Sequence, residues 1–247
     1  MLTINRENLI MDFLKENETI KTKYVMDHFN ISEATARRDL ANLEKKDLIK
    51  RVHGGAILSN INFFSKDSNI AFRKNVNRKE KEKIAEYAAS LIKDNSVIFL
   101  DAGTTTFQMI KYLKNKNIKV VTNGLNFIDE LEKISVESFL LGGKIKYKTS
   151  CTVGFSASKY LETFNFDYVF IGANALNLNG YSTPDGDEAV VKEKAISLGK
   201  DIYFLCDHSK VNKNSFIIFS SLNKGKLITD SILPKEYESF KNLEVVK

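Results

Sequence analysis

Along the first 58 positions the apolar residues recur at helical spacing, interrupted by short polar stops. Leu9, Ile10, Phe13 and Leu14 follow Thr3 as one helix face. Val25, Met26 and Phe29 repeat the pattern after Thr22, and Asn30 ends that run. Ser32 caps a third helix whose apolar stripe is Ala36, Leu40 and Leu43. LIKR and AILS then flank VHGG, two short runs around a glycine pair, which predicts a hairpin. Three short helices and a hairpin make a winged helix, an α+β unit over residues 1–58.

Residues 59–77 lose the periodicity and read as a linker, with Phe63, Phe64 and Phe72 as anchors against a neighbouring domain. From Arg78 a helix carrying Ile84, Ala85, Ala88, Leu91 and Ile92 leads into a different pattern. The runs VIFL (97–100), KVVT (119–122), SFLL (138–141), YVFI (168–171) and IYFL (202–205) have the length and composition of buried strands. Helical stretches near 105–114, 124–133, 155–163 and 187–199 separate most of them. This alternation predicts an α/β domain over residues 78–247 with a mainly parallel sheet. Pro184 and Pro234 fall in connections, and no internal repeat is evident.

With 247 residues, 43% of them hydrophobic and 28% charged, the chain can fill two ordinary soluble domains. A net charge of +6 suits a nucleic-acid partner without requiring one. Cys151 and Cys206 form no framework and no CxxC pair, so both are expected as reduced thiols. His28, His53 and His208 lack metal-ligand spacing, and neither a metal nor a cofactor is expected. The start MLTINREN has no signal-peptide pattern and no apolar run reaches membrane-spanning length, which gives a cytoplasmic expectation with no membrane partner.

The third helix carries the first candidate chemistry. Ser32, Thr35, Arg38 and Asn42 share one face, with Arg37 on its flank and the apolar stripe opposite. Such a face can hydrogen-bond phosphates or base edges, and a helix fits the major groove, where arginine pairs with guanine. The alternative is a solvated face whose arginines pair with Glu33, Asp39 or Glu44. Charge alone does not decide, since residues 1–58 hold ten basic and nine acidic side chains. Order does: a short helix, a break, a capped helix and a glycine hairpin form a helix-turn-helix with a wing.

ISEATARRDLANLEKKDLIKRVHGGAIL resembles the DNA-binding signature of DeoR-type bacterial transcriptional regulators, a Ser-x-x-Thr-x-Arg-Arg-Asp-Leu helix followed by a Lys-Arg-x-His-Gly-Gly-Ala wing. The resemblance implies that Arg37 and Arg38 contact double-stranded operator DNA, with Ser32, Thr35, Arg51 and His53 positioning the duplex. Asp47 departs from the family, which usually has glycine there. In a left-handed cap the change would cost roughly 1 kcal/mol.

In the later part, the candidate polar residues mostly follow predicted strands: Asp101, Gly103, Thr104, Thr105 and Thr106; Asn123 and Gly124; Gly142, Gly143 and Lys144; Asp207, Ser209 and Lys210. A parallel sheet gathers these loops on one edge, where such folds bind ligands. DAGTTT can cradle a phosphate through glycine, hydroxyls and free amides, although it lacks the lysine of a Walker A loop and is not GxGxxG. The DAGTTT, TNG, LGG and DHSK segments are similar to the sensor domain of DeoR-type regulators, which shares its fold with ribose-5-phosphate isomerase and typically senses a phosphorylated sugar. That resemblance implies Thr104, Thr105 and Thr106 on the phosphate, and Asp101, Asn123, Gly142, Glu188 and Lys210 around the sugar.

The expected function is therefore a sugar-responsive regulator, a repressor of sugar metabolism genes working as a homo-oligomer, at least a dimer on a two-fold operator. Two rivals remain. An isomerase with an appended head would need a carboxylate base. The corresponding strand end reads IGAN, residues 171–174, without one; the acids of PDGDEAVVKEK, including Asp185, Asp187, Glu188 and Glu193, lie beside a helix start, where caps are usual. IGAN also departs from the regulators, which commonly continue with another glycine. The second rival is a vestigial pocket on an oligomerising scaffold.

Overall fold

The computed structural model describes residues 3–17, 19–46, 48–58 and 70–246, and the chain divides into two compact units, Met1–Phe72 and Arg73–Lys247. The first runs α1 (Thr3–Asn17), β1 (Thr19–Lys21), α2 (Thr22–Phe29), α3 (Glu33–Lys45), β2 (Ile49–Val52) and β3 (Gly55–Leu58). Ile10, Leu14, Val25, Ala36, Leu40, Leu43 and Ile49 meet in one core. Leu9 is exposed, because it lies one residue step round α1 from Ile10 and on the outer flank of the stripe.

Local chemistry explains the breaks. Asn30 ends α2 in the left-handed conformation, φ 48°, with its N–H closing on the Met26 carbonyl, a geometry that asparagine tolerates better than most residues. Ser32 Oγ accepts from Thr35 N at 3.3 Å, capping α3. Gly54, φ +82°, turns the wing, and a Cβ on Gly55 would lie 2.1 Å from the Ile20 carbonyl oxygen. That close approach lets β3 pair with β1 as well as β2 in an antiparallel sheet of order β1-β3-β2. The sequence reading missed β1, whose three residues include a single apolar one, Ile20. Asp47, Phe63 and Phe64 lie outside the described residues, as does the side chain of Phe72.

A further short helix, α4 (Ile70–Asn75), occupies part of the stretch 59–77 that reads as a linker. IAFRKN spans under two turns, too few to show a period. Then follow α5 (Arg78–Ser90), β4 (Ser96–Leu100), α6 (Thr104–Met109), β5 (Ile118–Thr122), α7 (Ile128–Lys133), β6 (Glu137–Leu140), β7 (Lys144–Lys146), β8 (Cys151–Val153), α8 (Phe155–Leu161), β9 (Phe166–Gly172), β10 (Ala175–Asn177), β11 (Gly180–Thr183), α9 (Gly186–Leu198), β12 (Gly199–Leu205), β13 (Ile217–Ser220), β14 (Lys226–Thr229) and β15 (Leu243–Val245).

The main sheet is parallel throughout, in the order β15-β14-β12-β9-β4-β5-β6. Its strands read as continuous apolar runs because both faces are covered. Phe99, Val169, Ile171 and Phe204 point into one core. Ile98, Leu100, Tyr168, Phe170, Tyr203 and Leu205 point into the other. Two small antiparallel sheets, β10-β11-β13 and β7-β8, were not anticipated; their strands are three or four residues long. No helix among the described residues is long and apolar enough to cross a membrane.

The first unit depends on an ion pair as well as on its core. Asp39 receives Arg6 at Nε and Nη2, the latter at 3.0 Å, and the two side chains are 1% and 8% exposed. Removing one partner of such a pair strands the other charge in a low-dielectric setting. Asp39→Ala is therefore expected to destabilise the first unit by about 3–5 kcal/mol, read from urea unfolding. Arg6→Met/Asp39→Leu together should cost clearly less.

Candidate functional site

In the parallel sheet β4, β5 and β6 progress in one direction from the centre, whereas β9, β12, β14 and β15 progress in the other. The chain thus reverses between β4 and β9, and a crevice opens beyond their carboxyl ends. A small cavity lies there. Asp101, Gly103, Asn123 and Glu188 line it, with Asn174 of the IGAN segment, joined by residues that the sequence does not single out: Arg73, Thr149, Cys151, Gly172 and Lys192.

The floor is a buried ion pair. Asp101 Oδ2 accepts from Lys192 Nζ at 2.6 Å and from the Gly172 amide at 3.1 Å, while the ammonium also donates to the Gly172 carbonyl at 3.0 Å. One turn earlier on α9, Glu188 Oε1 accepts from Lys146 Nζ at 2.9 Å and Thr149 Oγ1 at 2.8 Å. Lys146 also reaches Asp185 Oδ2 at 2.9 Å, and Asp185 Oδ1 caps α9 by accepting from Glu188 N at 2.9 Å. Asp185 is thus the helix cap expected of acids in this segment. Glu188 is instead buried and turned into the cavity wall.

Burial alone would raise the Glu188 carboxyl, but Lys192 and Lys146 outweigh it and hold the group below the ordinary glutamate value. Cys151 is pushed up to about 12, first by burial and then by the Glu188 charge. Cys206 is pushed up to about 12 by burial and the neighbouring Asp207. Neither thiol offers a thiolate near neutral pH. Among the described residues no group of His, Cys, Asp and Glu is placed to hold a metal ion.

The remaining sequence candidates divide by position. Thr104, Thr105 and Thr106 are buried in the first turn of α6. Thr106 Oγ1 accepts from Gly103 N at 3.0 Å and is within 2.5 Å of the Asp101 carbonyl, so this hydroxyl folds the loop. The first-turn amides of Thr104 and Thr105 have no intrahelical acceptor. Asn123 shapes the cavity wall: Oδ1 accepts from Ala102 N at 3.0 Å and Nδ2 donates to the Thr152 carbonyl at 3.1 Å. Gly142 and Gly143 are exposed between β6 and β7, and do not line the cavity. Lys210 follows β12 and lies beside Asp207, also off the lining; burial lowers its ammonium, with Asp207 opposing.

In the first unit Ser32, Arg37, Arg38, Arg51 and His53 are exposed, with Thr35 half-buried. Arg37 pairs with Glu33 at 2.6 Å and Arg51 with Glu44 at 2.7 Å. Asp39 is turned inward to Arg6, and no ion pair engages Arg38 among the described residues. Asn42 leaves the polar face, donating to Glu7 Oε1 of α1 at 3.3 Å.

A "DeoR-like helix-turn-helix domain" matches residues 6–62 and a "DeoR C terminal sensor domain" matches residues 76–231. The HTH-type transcriptional regulator FruR of Bacillus subtilis (strain 168) is 38% identical over 250 residues, covering 100% of this chain and 98% of that protein. The HTH-type transcriptional repressor GlcR of the same organism is 35% identical, over 92% and 88% of the two chains. A lactose phosphotransferase system repressor of Staphylococcus aureus (strain NCTC 8325 / PS 47) is 32% identical over 96% and 94%. A ribose 5-phosphate isomerase A from Methanocaldococcus jannaschii aligns structurally with 55% of each chain at 18% identity and a TM-score of 0.40.

The Glu188 arrangement has a pH signature. A carboxyl whose folded value is depressed stabilises the fold above its unfolded value, and that contribution disappears as pH falls through the folded value. Acid titration of unfolding should therefore show stability declining below the ordinary glutamate range. In Glu188→Gln, less stable at pH 7, that part of the decline should be missing.

Proposed function

Because the chain belongs to the DeoR family of DNA-binding transcriptional regulators, we propose that it is a repressor whose second unit binds a phosphorylated sugar in the cavity beyond β4 and β9. The observation that carries this reading is the convergence of Asp101, Lys192, Glu188 and Arg73 on one small cavity in a chain headed by a winged helix. Paired carboxylates and cations present acceptors and donors to polyol hydroxyls, and the first turn of α6, with Thr104 and Thr105 beside the cavity, offers amides and hydroxyls for a phosphate. A relative named as a lactose phosphotransferase system repressor supports a sugar as the ligand class. Lys210 and the Gly142–Gly143 turn border this edge of the sheet rather than the cavity itself.

The unit acts as a sensor and not as an isomerase. Proton transfer between neighbouring carbons is best served by a base whose pKa lies near the working pH. Glu188 is driven the other way, and Asp101 is committed to Lys192 and the Gly172 amide. Both carboxylates bind well and abstract protons poorly. In the first unit, α3 enters the major groove with Arg38 and Arg37 toward the bases, and Ser32, Thr35, Arg51 and His53 set the phosphate register. A two-fold operator requires at least two copies of the chain. The site of action is the cytoplasm, with the DNA.

Two measurements test the reading. Arg38→Ala should weaken binding to the operator duplex by about 1–3 kcal/mol without altering the fold; unchanged affinity and salt dependence would remove α3 from the groove. In a thermal-shift panel of sugar phosphates, the cognate ligand at 100 times its Kd should stabilise the chain by about 2.7 kcal/mol and change operator affinity. Asp101→Asn and Thr105→Ala should lose that response while still binding DNA. Turnover of a phosphosugar would favour an isomerase, and no shift with any would favour a scaffold.

A further inference from the structure

The polar side chains that line the cavity mostly hold one another. Asp101 and Lys192 bond across 2.6 Å. Glu188 receives Lys146 and Thr149 on Oε1 and Thr183 Oγ1 on Oε2, the last at 3.4 Å, while Asn123 uses both ends of its amide on backbone groups. Asn174 is different. It lines the same cavity and is half-buried, yet among the described residues no hydrogen bond engages its side-chain amide. Nor does a backbone role account for it. Asn30, Asn77, Asn95, Asn115 and Asn212 each take the left-handed conformation, which asparagine tolerates, whereas Asn174 is not among the positive-φ residues.

The chain fixes where this amide stands. Asn174 comes two residues after Gly172, the end of β9, whose amide and carbonyl hold Asp101 and Lys192. Its own backbone N–H donates to the Ser182 carbonyl at 3.0 Å, and Ala175 pairs with Ser182 in the β10-β11 ladder. Ala173 and Ala175, on either side, are 7% and 0% exposed and belong to the core. Side chains alternate along an extended backbone, so two neighbours turned into the core leave Asn174 on the cavity side. A ligand in the cavity thus meets a carboxamide whose backbone is already held in place.

We propose that Asn174 is a specificity-determining residue of the effector cavity, whose carboxamide reads one hydroxyl group on the sugar part of the ligand. The proposal rests on the phosphosugar reading above and deepens it. A carboxamide carries two N–H donors and an acceptor oxygen without charge. It can therefore bond a hydroxyl in either sense, and it adds little to the attraction for a phosphate. Its contribution separates one sugar from another, whereas the charged groups separate a phosphorylated sugar from a free one. A ligand lacking the matching hydroxyl leaves the amide without that partner, which a site built on hydrogen bonds penalises.

Isothermal titration of the full chain tests this, with pentose and hexose monophosphates as probes, followed by singly deoxygenated analogues of the best binder. Asn174→Ala should bind that best phosphosugar about tenfold more weakly than the wild type. One deoxy analogue should bind the two proteins within about twofold of each other, because the group that Asn174 contacts is already gone, while the remaining analogues keep the gap. Affinity of Asn174→Ala within about twofold of the wild type for every phosphosugar would overturn the assignment and leave the phosphosugar reading standing. A uniform loss across the parent sugar and all its analogues would overturn it as well, since a merely structural residue behaves in that way. Failure of the wild type to bind any phosphorylated probe would overturn both readings. Should Asn174→Ala not fold, Asn174→Ser decides by the same comparison.

Discussion

The second unit turns on the contact between Asp101 and Lys192, 2.6 Å apart and almost wholly buried. Asp101 closes β4, Lys192 belongs to α9, and both bond the Gly172 peptide at the end of β9. One pair thereby fixes two central strands and a covering helix at the point where the sheet reverses. Burying two charges is unfavourable unless geometry and extra hydrogen bonds compensate. Here the Gly172 amide and carbonyl provide that compensation, so the pair persists and leaves a polar floor where an apolar one would pack more cheaply. In the proposed effector site such a pair would present a fixed acceptor and a fixed donor to hydroxyl groups without rearranging.

Much of the architecture was legible because the physical rules act locally. The Ser32 cap, the left-handed Asn30, the glycine wing turn and the runs of strands covered on both faces each follow from a few adjacent residues. What escaped was short or non-local. β1 and β7 are three residues each, too short to show an alternation, and β1 gains its pairing from a strand more than thirty residues along the chain. Lys192 stands in a charged helical stretch, VVKEK, where a lysine normally faces water; only the tertiary contact with Asp101, 91 positions away, turns it inward. Arg73 was absorbed into an aperiodic stretch. Glu188 was identified as a candidate, but its role as an acceptor for Lys146 and Thr149 depends on the β7-β8 hairpin.

Binding and catalysis make opposite demands on the same carboxylates. A base must be able to take a proton at neutral pH, whereas a recognition carboxylate works best when permanently ionised and already oriented. The cations around Glu188 hold its carboxyl below the ordinary glutamate value, and the Lys192 bond fixes Asp101 in one orientation. The high thiol values of Cys151 and Cys206, caused mainly by burial, remove the other candidate nucleophiles from the edge of the sheet.

The first unit resolves its charge problem by burial. Its formal charge is almost balanced, so long-range attraction to a polyanion is weak and recognition must depend on a few well-placed groups. Arg6 and Asp39 are sequestered and structural. Arg37 with Glu33 and Arg51 with Glu44 are exposed, at 69% and 55%, and at 47% and 36%. Exposed pairs of this kind contribute about 0–1 kcal/mol, so exchanging the carboxylate for a phosphate oxygen costs little. In the proposed docking of α3 in a groove, such pairs would yield to phosphate oxygens. The arginines of the first unit therefore stand in three different situations. Arg6 is committed internally by burial, Arg37 and Arg51 are held in exchangeable pairs, and Arg38 needs no exchange at all.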